Sequence, residues 1–462
     1  MIPSISPEFS ERIARLRRRA PGDPSELLAR AYYDRAAEIV SRSVVRQGAP
    51  PPWTRTLDAL LCSRWLGVPI MFALLAAVFW ITIEGANAPS ALLAGGLFWV
   101  GDQLAAAFDW AGAPWWLTGF LVKGIYRGLA WVVAVMLPPM AIFFPCFTLL
   151  EDFGYLPRVA FNLDGLLRRA GAHGKQALSM AMGFGCNAAG VIACRVIDSP
   201  RERLIAILTN TFMPCNGRFP TLIMLSVIFV GGAAPAGWVS AAAAGAIVGL
   251  VLMGVLFTLI VSAVLSKSLL AGERSTFSME LPPYRRPQIL RVLYTSLIDR
   301  TIFVLLRAIS IAAPVGGLIW LMGNVEAGGA SLMSHAAGAL QGFGAALGMD
   351  GYILLAFIIA LPANEVVVPA LVMAYLSADS LLELDSLDAM RALLVEKHGW
   401  TLLTAVCTMV FSVLHFPCGT TLWTIHRETG RAKWAWLGFL IPTLLAIATT
   451  FLIAQSVRFF SG

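Results

Sequence analysis

The chain has 462 residues, of which 58% are hydrophobic and only 13% charged, with a net charge of +7. A soluble domain carries roughly 25% charged residues, so the composition excludes a water-soluble globular protein and points to an all-α polytopic membrane protein. The positive balance does not mark a nucleic-acid binder: the arginines collect at the N-terminus and in short loops, as orientation signals do, without an aromatic-interleaved binding face.

Residues 1–65 are polar and arginine-rich and read as a cytoplasmic helical segment with a linker. They lack the apolar core of a signal peptide, so the N-terminus is expected in the cytoplasm. "SPEFSERIARLRRRA" and "SELLARAYYDRAAEIVSRSVV" read as amphipathic helices, and "APPPW" at 49–53 as a stiff connection. The pattern GxxxxGK[ST] does not occur, so no phosphate-binding loop is expected and the chain reads as a non-enzyme.

Apolar spans follow at roughly 66–83, 128–150, 204–230, 236–265, 301–322, 400–424 and 435–456, each near the ~20 residues needed to cross. Two further apolar segments, 176–197 and 351–376, carry polar interruptions and either cross or enter and return. Loop charge favours return. Residues 84–118 hold Glu84, Asp102 and Asp109 but no Lys or Arg, and read as outside. Residues 151–175 (Arg158, Arg168, Arg169, Lys175) and the stretch with Arg195, Arg201 and Arg203 both read as inside, so 176–197 enters and leaves from the cytoplasmic side. The 266–300 loop, with Lys267, Arg274, Arg285, Arg286, Arg291 and Arg300, is also inside. Residues 323–350 carry no Lys or Arg, and 377–399 are acidic (Asp379, Glu383, Asp385, Asp388, Glu396), so 351–376 enters and leaves from the outer side. Lys123, Arg127 and Arg458 depart from this scheme. Arg307, near the start of a span, is expected to snorkel to the interface.

Two membrane halves of opposite orientation result, 66–265 and 301–462, joined by the basic loop 266–300. They share a faint internal likeness: "GFGCNAAGVIACRV" beside "ALPANEVVVPALVM", and "FMPCNGRFP" beside "HFPCGTTLW". Inverted repeats with broken helices are a recurring transporter plan, in which the breaks mark a site near the midplane. The breaks concentrate unusual chemistry: Cys186 and Asn187; Met213 and Cys215 around Pro214; Asn364 and Glu365; and His415 and Cys418 around Pro417. Soft sulfur beside oxygen and nitrogen suits a divalent transition ion better than Ca²⁺ or Mg²⁺. No basic residue is expected at the breaks, which argues against an anionic substrate. Glu365 is the strongest signal, because a carboxylate deep in a membrane segment is costly and by default marks function. Each residue also has a bland role open to it. The cysteines and Met213 fit as packing, His415 as a group bonded to a carbonyl, and Asn187 and Asn364 as braces for freed backbone.

Several stretches closely resemble the membrane (gate) domain of the ferrous iron transport protein B family: "LLEDFGYLPRVAFNLDGLLRRAGAHGKQ" (149–176), "GFGCN" (183–187), "RERLIAILTNTFMPCNGRFP" (201–220), "NEVVVPAL" (364–371) and "FPCGTTLWTIHRETGRAKW" (416–434). The resemblance covers most of 55–456 and implies two inverted gate modules, bacterial inner-membrane Fe²⁺ uptake, and Cys186, Cys215 and Cys418 as pathway ligands with Glu365 balancing charge. The family usually opens with a cytoplasmic GTPase domain, so a separately encoded GTPase subunit is an expected partner, acting on the N-terminal segment or the 266–300 loop. Fe²⁺ or another divalent transition metal is then cargo, with no permanently bound cofactor, membrane lipid as solvent, and a homo-oligomer open. Two other readings stay open: a gate-type transporter of nucleosides or other organic solutes, and a membrane scaffold or sensor that transports nothing.

Overall fold

A computed structural model describes residues 24–43, 52–63, 65–235, 238–272, 281–285, 287–376 and 386–461. The helix expected over 6–20, most of the "APPPW" linker, Arg274, Arg286, Asp379, Glu383 and Asp385 lie outside the described residues. Helices α1 (Pro24–Ser43) and α2 (Pro52–Leu61) precede the membrane part. A long helix α3 (Gly67–Trp110) then pairs with α4 (Trp115–Phe153), which contains a π-helical stretch at Gly119–Tyr126. The turn between them is Gly112, at φ 70°.

The segment 84–118, read from charge as an outside loop, is thus mostly helix. Loop charge reports the side of the membrane and not the backbone conformation. Glu84, Asp102 and Asp109 all sit within α3, which runs through Pro89. At about 1.5 Å per residue, this helix is about twice the ~30 Å hydrocarbon thickness, longer than a crossing needs. The same correction holds for 323–350, where a short β-hairpin (Glu326–Ala327 with Ala330–Ser331) leads into a helix at Leu332–Ala346.

After α5 (Tyr155–Arg169) come α6 (Gln176–Gly185) and α7 (Asn187–Val196), which meet at an extended Cys186 (φ −154°, ψ 124°). The second of these doubles back along the first. A Cβ on Gly190 would lie 2.8 Å from the Ser179 carbonyl oxygen, and the Asn210 side chain fills the space beside both Gly183 and Gly190. Glycine is what permits this close approach. The segment therefore turns back on itself.

The next apolar stretch, read as one span over 204–230, is broken. It forms α8 (Pro200–Thr209), a 3₁₀ turn Asn210–Phe212, an extended Met213, and α9 (Phe219–Gly231). Pro214 forces this, because it disfavours helical backbone at the residue before it and supplies no N–H. Helices α10 (Val239–Lys267), α11 (Ile289–Thr295) and α12 (Phe303–Asn324) follow. Arg307 on α12 is half-buried, and its Nη1 donates to Thr424 Oγ1 at 3.1 Å.

The second half repeats the plan. Helix α13 (Leu332–Ala346) bends by 111° into α14 (Gly351–Ile359), which pairs with α15 (Val367–Leu376) across the tip 360–366. Near the open end of this hairpin, the Tyr352 and Tyr375 ring centroids lie 5.4 Å apart and Tyr375 bonds Asp350. After α16 (Leu387–Arg391), α17 (Leu402–Leu414) breaks at His415–Cys418 and resumes as α18 (Gly419–Thr429), and α19 (Ala432–Ser461) closes the chain. Both broken helices start from a hydroxyl cap: Ser199 Oγ accepts from Glu202 N at 3.4 Å, and Thr401 Oγ1 from Thr404 N at 3.2 Å. Among the described residues six helices are long and apolar enough to cross a membrane, or seven if the bent pair counts as one span.

Candidate functional site

Backbone freed at each break is satisfied by the hairpin tip of the same half. In the first half the Gly185 carbonyl accepts from Asn216 N at 3.4 Å, and in the second the Leu361 carbonyl accepts from Gly419 N at 2.7 Å. The donors follow Cys215 and Cys418 directly. Non-helical backbone at this depth thus finds partners within the protein, the condition under which a membrane interior tolerates it.

A cavity of about 30 Å³ lies where the two tips and two breaks converge. Cys186, Cys215 and Cys418 face it from separate breaks, together with Asn187, Asn364 and Glu365. Tip and break also touch across the halves. Asn364 Nδ2 donates to Cys215 Sγ at 3.5 Å, and the Glu365 carboxylate packs onto Gly217, where a Cβ would collide with it. Cys418 Sγ lies 3.3 Å from Thr421 Oγ1. Asn187, with its amide turned to present nitrogen, donates to the Gly183 and Met213 carbonyls at 3.1 Å each, so it braces the first tip while lining the cavity. Asn210 Nδ2 in turn donates to the Asn187 carbonyl at 3.0 Å.

Two expected residues stand elsewhere. Met213 is fully buried in a separate apolar cluster with Met180, Phe184 and Phe219. His415 is enclosed by the rings of Phe357, Phe411 and Phe416, with Nδ1 at 2.9 Å from the Ser412 carbonyl. Among the described residues, no three His, Cys, Asp or Glu side chains form a group ready to hold an ion.

The expectation of no basic residue at the breaks is wrong. Arg218 is 1% exposed, and its guanidinium donates to the carbonyls of Thr211 (3.0 Å), Val413 (2.8 Å), His415 (3.1 Å) and Phe416 (3.3 Å). Three of these carbonyls belong to the end and break of α17, where a helix leaves orphan acceptors and partial negative charge. One cation therefore stitches the first break to the second. Its presence was visible in "PCNGR", since an arginine inside an apolar stretch is a site hypothesis by default. The cavity also takes Met136 and Met140 from α4, which sequence reasoning passed over. Their signal is a pair of thioethers one turn apart around Pro138 and Pro139.

Sequence comparison divides the chain along the same two halves. A family model described as "Nucleoside recognition" (Gate) matches residues 133–229 and 305–432, one stretch in each half. The model "Ferrous iron transport protein B C terminus" matches 247–299 between them. The "Fe(2+) transporter FeoB" of Staphylococcus aureus is 28% identical over 413 residues, covering 86% of this chain and 58% of that protein. A Porphyromonas gingivalis "Fe(2+) transport protein A/Fe(2+) transporter FeoB fusion protein" is 27% identical over 449 residues, covering 87% of this chain and 51% of that one. The "Fe(2+) transporter FeoB" of Salmonella typhimurium is 31% identical over 278 residues, covering 58% of this chain and 34% of that one. The chain thus spans about half the length of these relatives, or less. No solved structure matches it. By its two gate-model matches and the stretch between them, the chain is similar to the membrane portion of ferrous iron transport protein B.

Proposed function

We propose that the protein carries Fe²⁺ across a bacterial inner membrane, with its N-terminus in the cytoplasm and the ion passing through the cavity between the hairpin tips. The observation that carries this reading is the meeting of Cys186, Cys215, Cys418 and Glu365 from four chain segments around one small cavity. Thiols, a carboxylate and amide oxygens suit a borderline divalent ion. A transport site must also release its cargo, so a loosely assembled set serves better than a closed structural cage. Asn364 and Glu365 come from one half and Cys215 from the other, so relative motion of the halves would change the number of ligands. The relatives named as Fe(2+) transporters support the choice of ion. A separately encoded GTPase remains part of the reading. The Porphyromonas relative, fused to an Fe(2+) transport protein A, directs attention to soluble partners as well.

The gate description raises nucleosides as a second cargo. Sites for ligands of that size hold about 300 Å³ or more, whereas this cavity is about 30 Å³. The test is uptake of Fe²⁺, Mn²⁺ and Zn²⁺ into proteoliposomes by the wild type, by Glu365→Gln and by the triple change Cys186→Ser, Cys215→Ser, Cys418→Ser. Metal uptake indifferent to both variants would sink the assignment.

A further inference from the structure

The central cavity is not the only internal space. One face of α4 carries, in order, Met136, Met140, Phe143, Phe147 and Glu151, at spacings that place them on a single stripe. The first two line the central cavity. Phe147 and Glu151 line a second chamber of about 210 Å³, whose other walls include Met182 of α6, Ala189 and Ile192 of α7, and Val304 of α12. Among the described residues lining that chamber, Glu151 alone is charged. Glu151 also borders a third, larger space of about 580 Å³, where Asp152, Arg285 and Arg291 join it. Phe143 marks the divide between the first two spaces. Its ring fills the position a Cβ on Gly185 would need, and it stacks on Phe147 with centroids 5.6 Å apart.

We propose that cargo leaves the central cavity along this stripe of α4, through an apolar chamber that gates by excluding water, to a mouth lined by Glu151. An apolar constriction blocks an ion without any plug, because the ion would have to shed its hydration shell where nothing replaces it. The Phe143–Phe147 stack closes the end next to the central cavity. Glu151 offers the first charged oxygen beyond the dry stretch, and Asp152 stands next to it at the wide outer space. Opening would require the α6–α7 hairpin to move away from α4, which widens the chamber enough to wet it. The identity of the cargo rests on the preceding reading, but the route does not.

Labelling of Cys186 tests the route without any metal. The full chain in sealed vesicles is exposed, on the side bearing α5, to a membrane-impermeant cationic methanethiosulfonate. The modified Cys186 peptide is then quantified by mass spectrometry over time. Phe147→Asn, which puts a polar group in the chamber, should label Cys186 several-fold faster than the wild type, as should Phe143→Ala. Phe147→Leu keeps the wall apolar and should stay at the wild-type rate, and Ala193→Trp, which fills the chamber, should label more slowly. Unchanged labelling in Phe147→Asn and Phe143→Ala, with melting temperatures near wild type, would overturn the route. Equal acceleration in Phe147→Asn and Phe147→Leu would overturn the water-exclusion mechanism. Accelerated labelling in a protein that takes up no metal would support the route and defeat only the iron assignment.

Discussion

Asn364 Nδ2 donates to Cys215 Sγ at 3.5 Å, joining the hairpin tip of the second half to the helix break of the first. The neighbouring residues repeat the contact, with Glu365 seated on Gly217. The site is therefore not contained in either repeat. Each half contributes lining residues that meet only while the opposite half is in register.

Gly217 is the most direct handle on this register. A Cβ at position 217 would occupy the place of the Glu365 carboxylate. Gly217→Ala should cost ~1–3 kcal/mol in stability as overpacking and displace the acid from the cavity. If Glu365 contributes ~1.4 kcal/mol to holding the ion, uptake falls by about tenfold. Adding Glu365→Ala should restore stability, because the collision is gone, but not uptake. A double-mutant cycle of melting temperature and uptake rate checks this, and additive stability losses would defeat it.

The glycines of the first hairpin should differ in a defined way. The three atoms nearest a Cβ on Gly183 would all belong to the Asn210 side chain, from 2.7 Å, whereas one on Gly190 would also meet the backbone oxygen of Ser179 at 2.8 Å. Side chains yield more readily than backbone, so Gly190→Ala should destabilise more than Gly183→Ala, each within ~1–3 kcal/mol. Asn210→Ala should rescue most of the loss in Gly183→Ala and little of that in Gly190→Ala. Thermal melting in detergent reads the comparison, and equal rescue of both would refute it.

Much of this arrangement was legible in the sequence because its signals are local. "GFGCN" and "FMPCNG" carry their own helix breakers, and the pairing of "FMPCNGRFP" with "HFPCGTTLW" is borne out in space by the matched bonds at Asn216 and Gly419. What escaped depends on partners distant in sequence. His415 reads as a ligand type, but the distant Phe357 joins its chain neighbours Phe411 and Phe416 to enclose it. Met136 carries no local signal until folding brings it to the cavity that Cys186 also lines. Acids without basic residues suggested a loop over 84–118, yet isolated carboxylates are compatible with helix, and only the turn at Gly112 ends one.

Arg218 tests whether the two halves are held by one cation. Its replacement by methionine preserves bulk but leaves the carbonyls of Thr211, Val413, His415 and Phe416 without their donor. A buried acceptor left without its donor costs ~1–3 kcal/mol, and four carbonyls lose one here, so Arg218→Met should lower the melting temperature sharply. Arg218→Lys keeps the charge but not the planar fork, and should fall between the two. In the lysine variant that still folds, uptake should slow, because the α17 break is no longer held in place. A methionine variant as stable as wild type would show that the carbonyls find other partners.

Acid should loosen the loop between α5 and α6. His173 is 7% exposed, and its Nδ1 accepts a hydrogen bond from the Lys175 backbone N–H at 3.0 Å, which only a neutral imidazole can do. Burial lowers its pKa below the usual 6.5. Lys175 and Arg168 push the same way, against Glu202 and Asp164. The folded state thus binds a proton less readily than the unfolded chain, whose histidine titrates near ~6.5. The stability from this group is present above that pH and is lost as pH falls through it, because the unfolded chain then takes up the proton first. Melting temperature in detergent should therefore decline between about pH 7 and pH 5, and His173→Gln should flatten the decline. Equal slopes in wild type and variant would assign the acid sensitivity to another group.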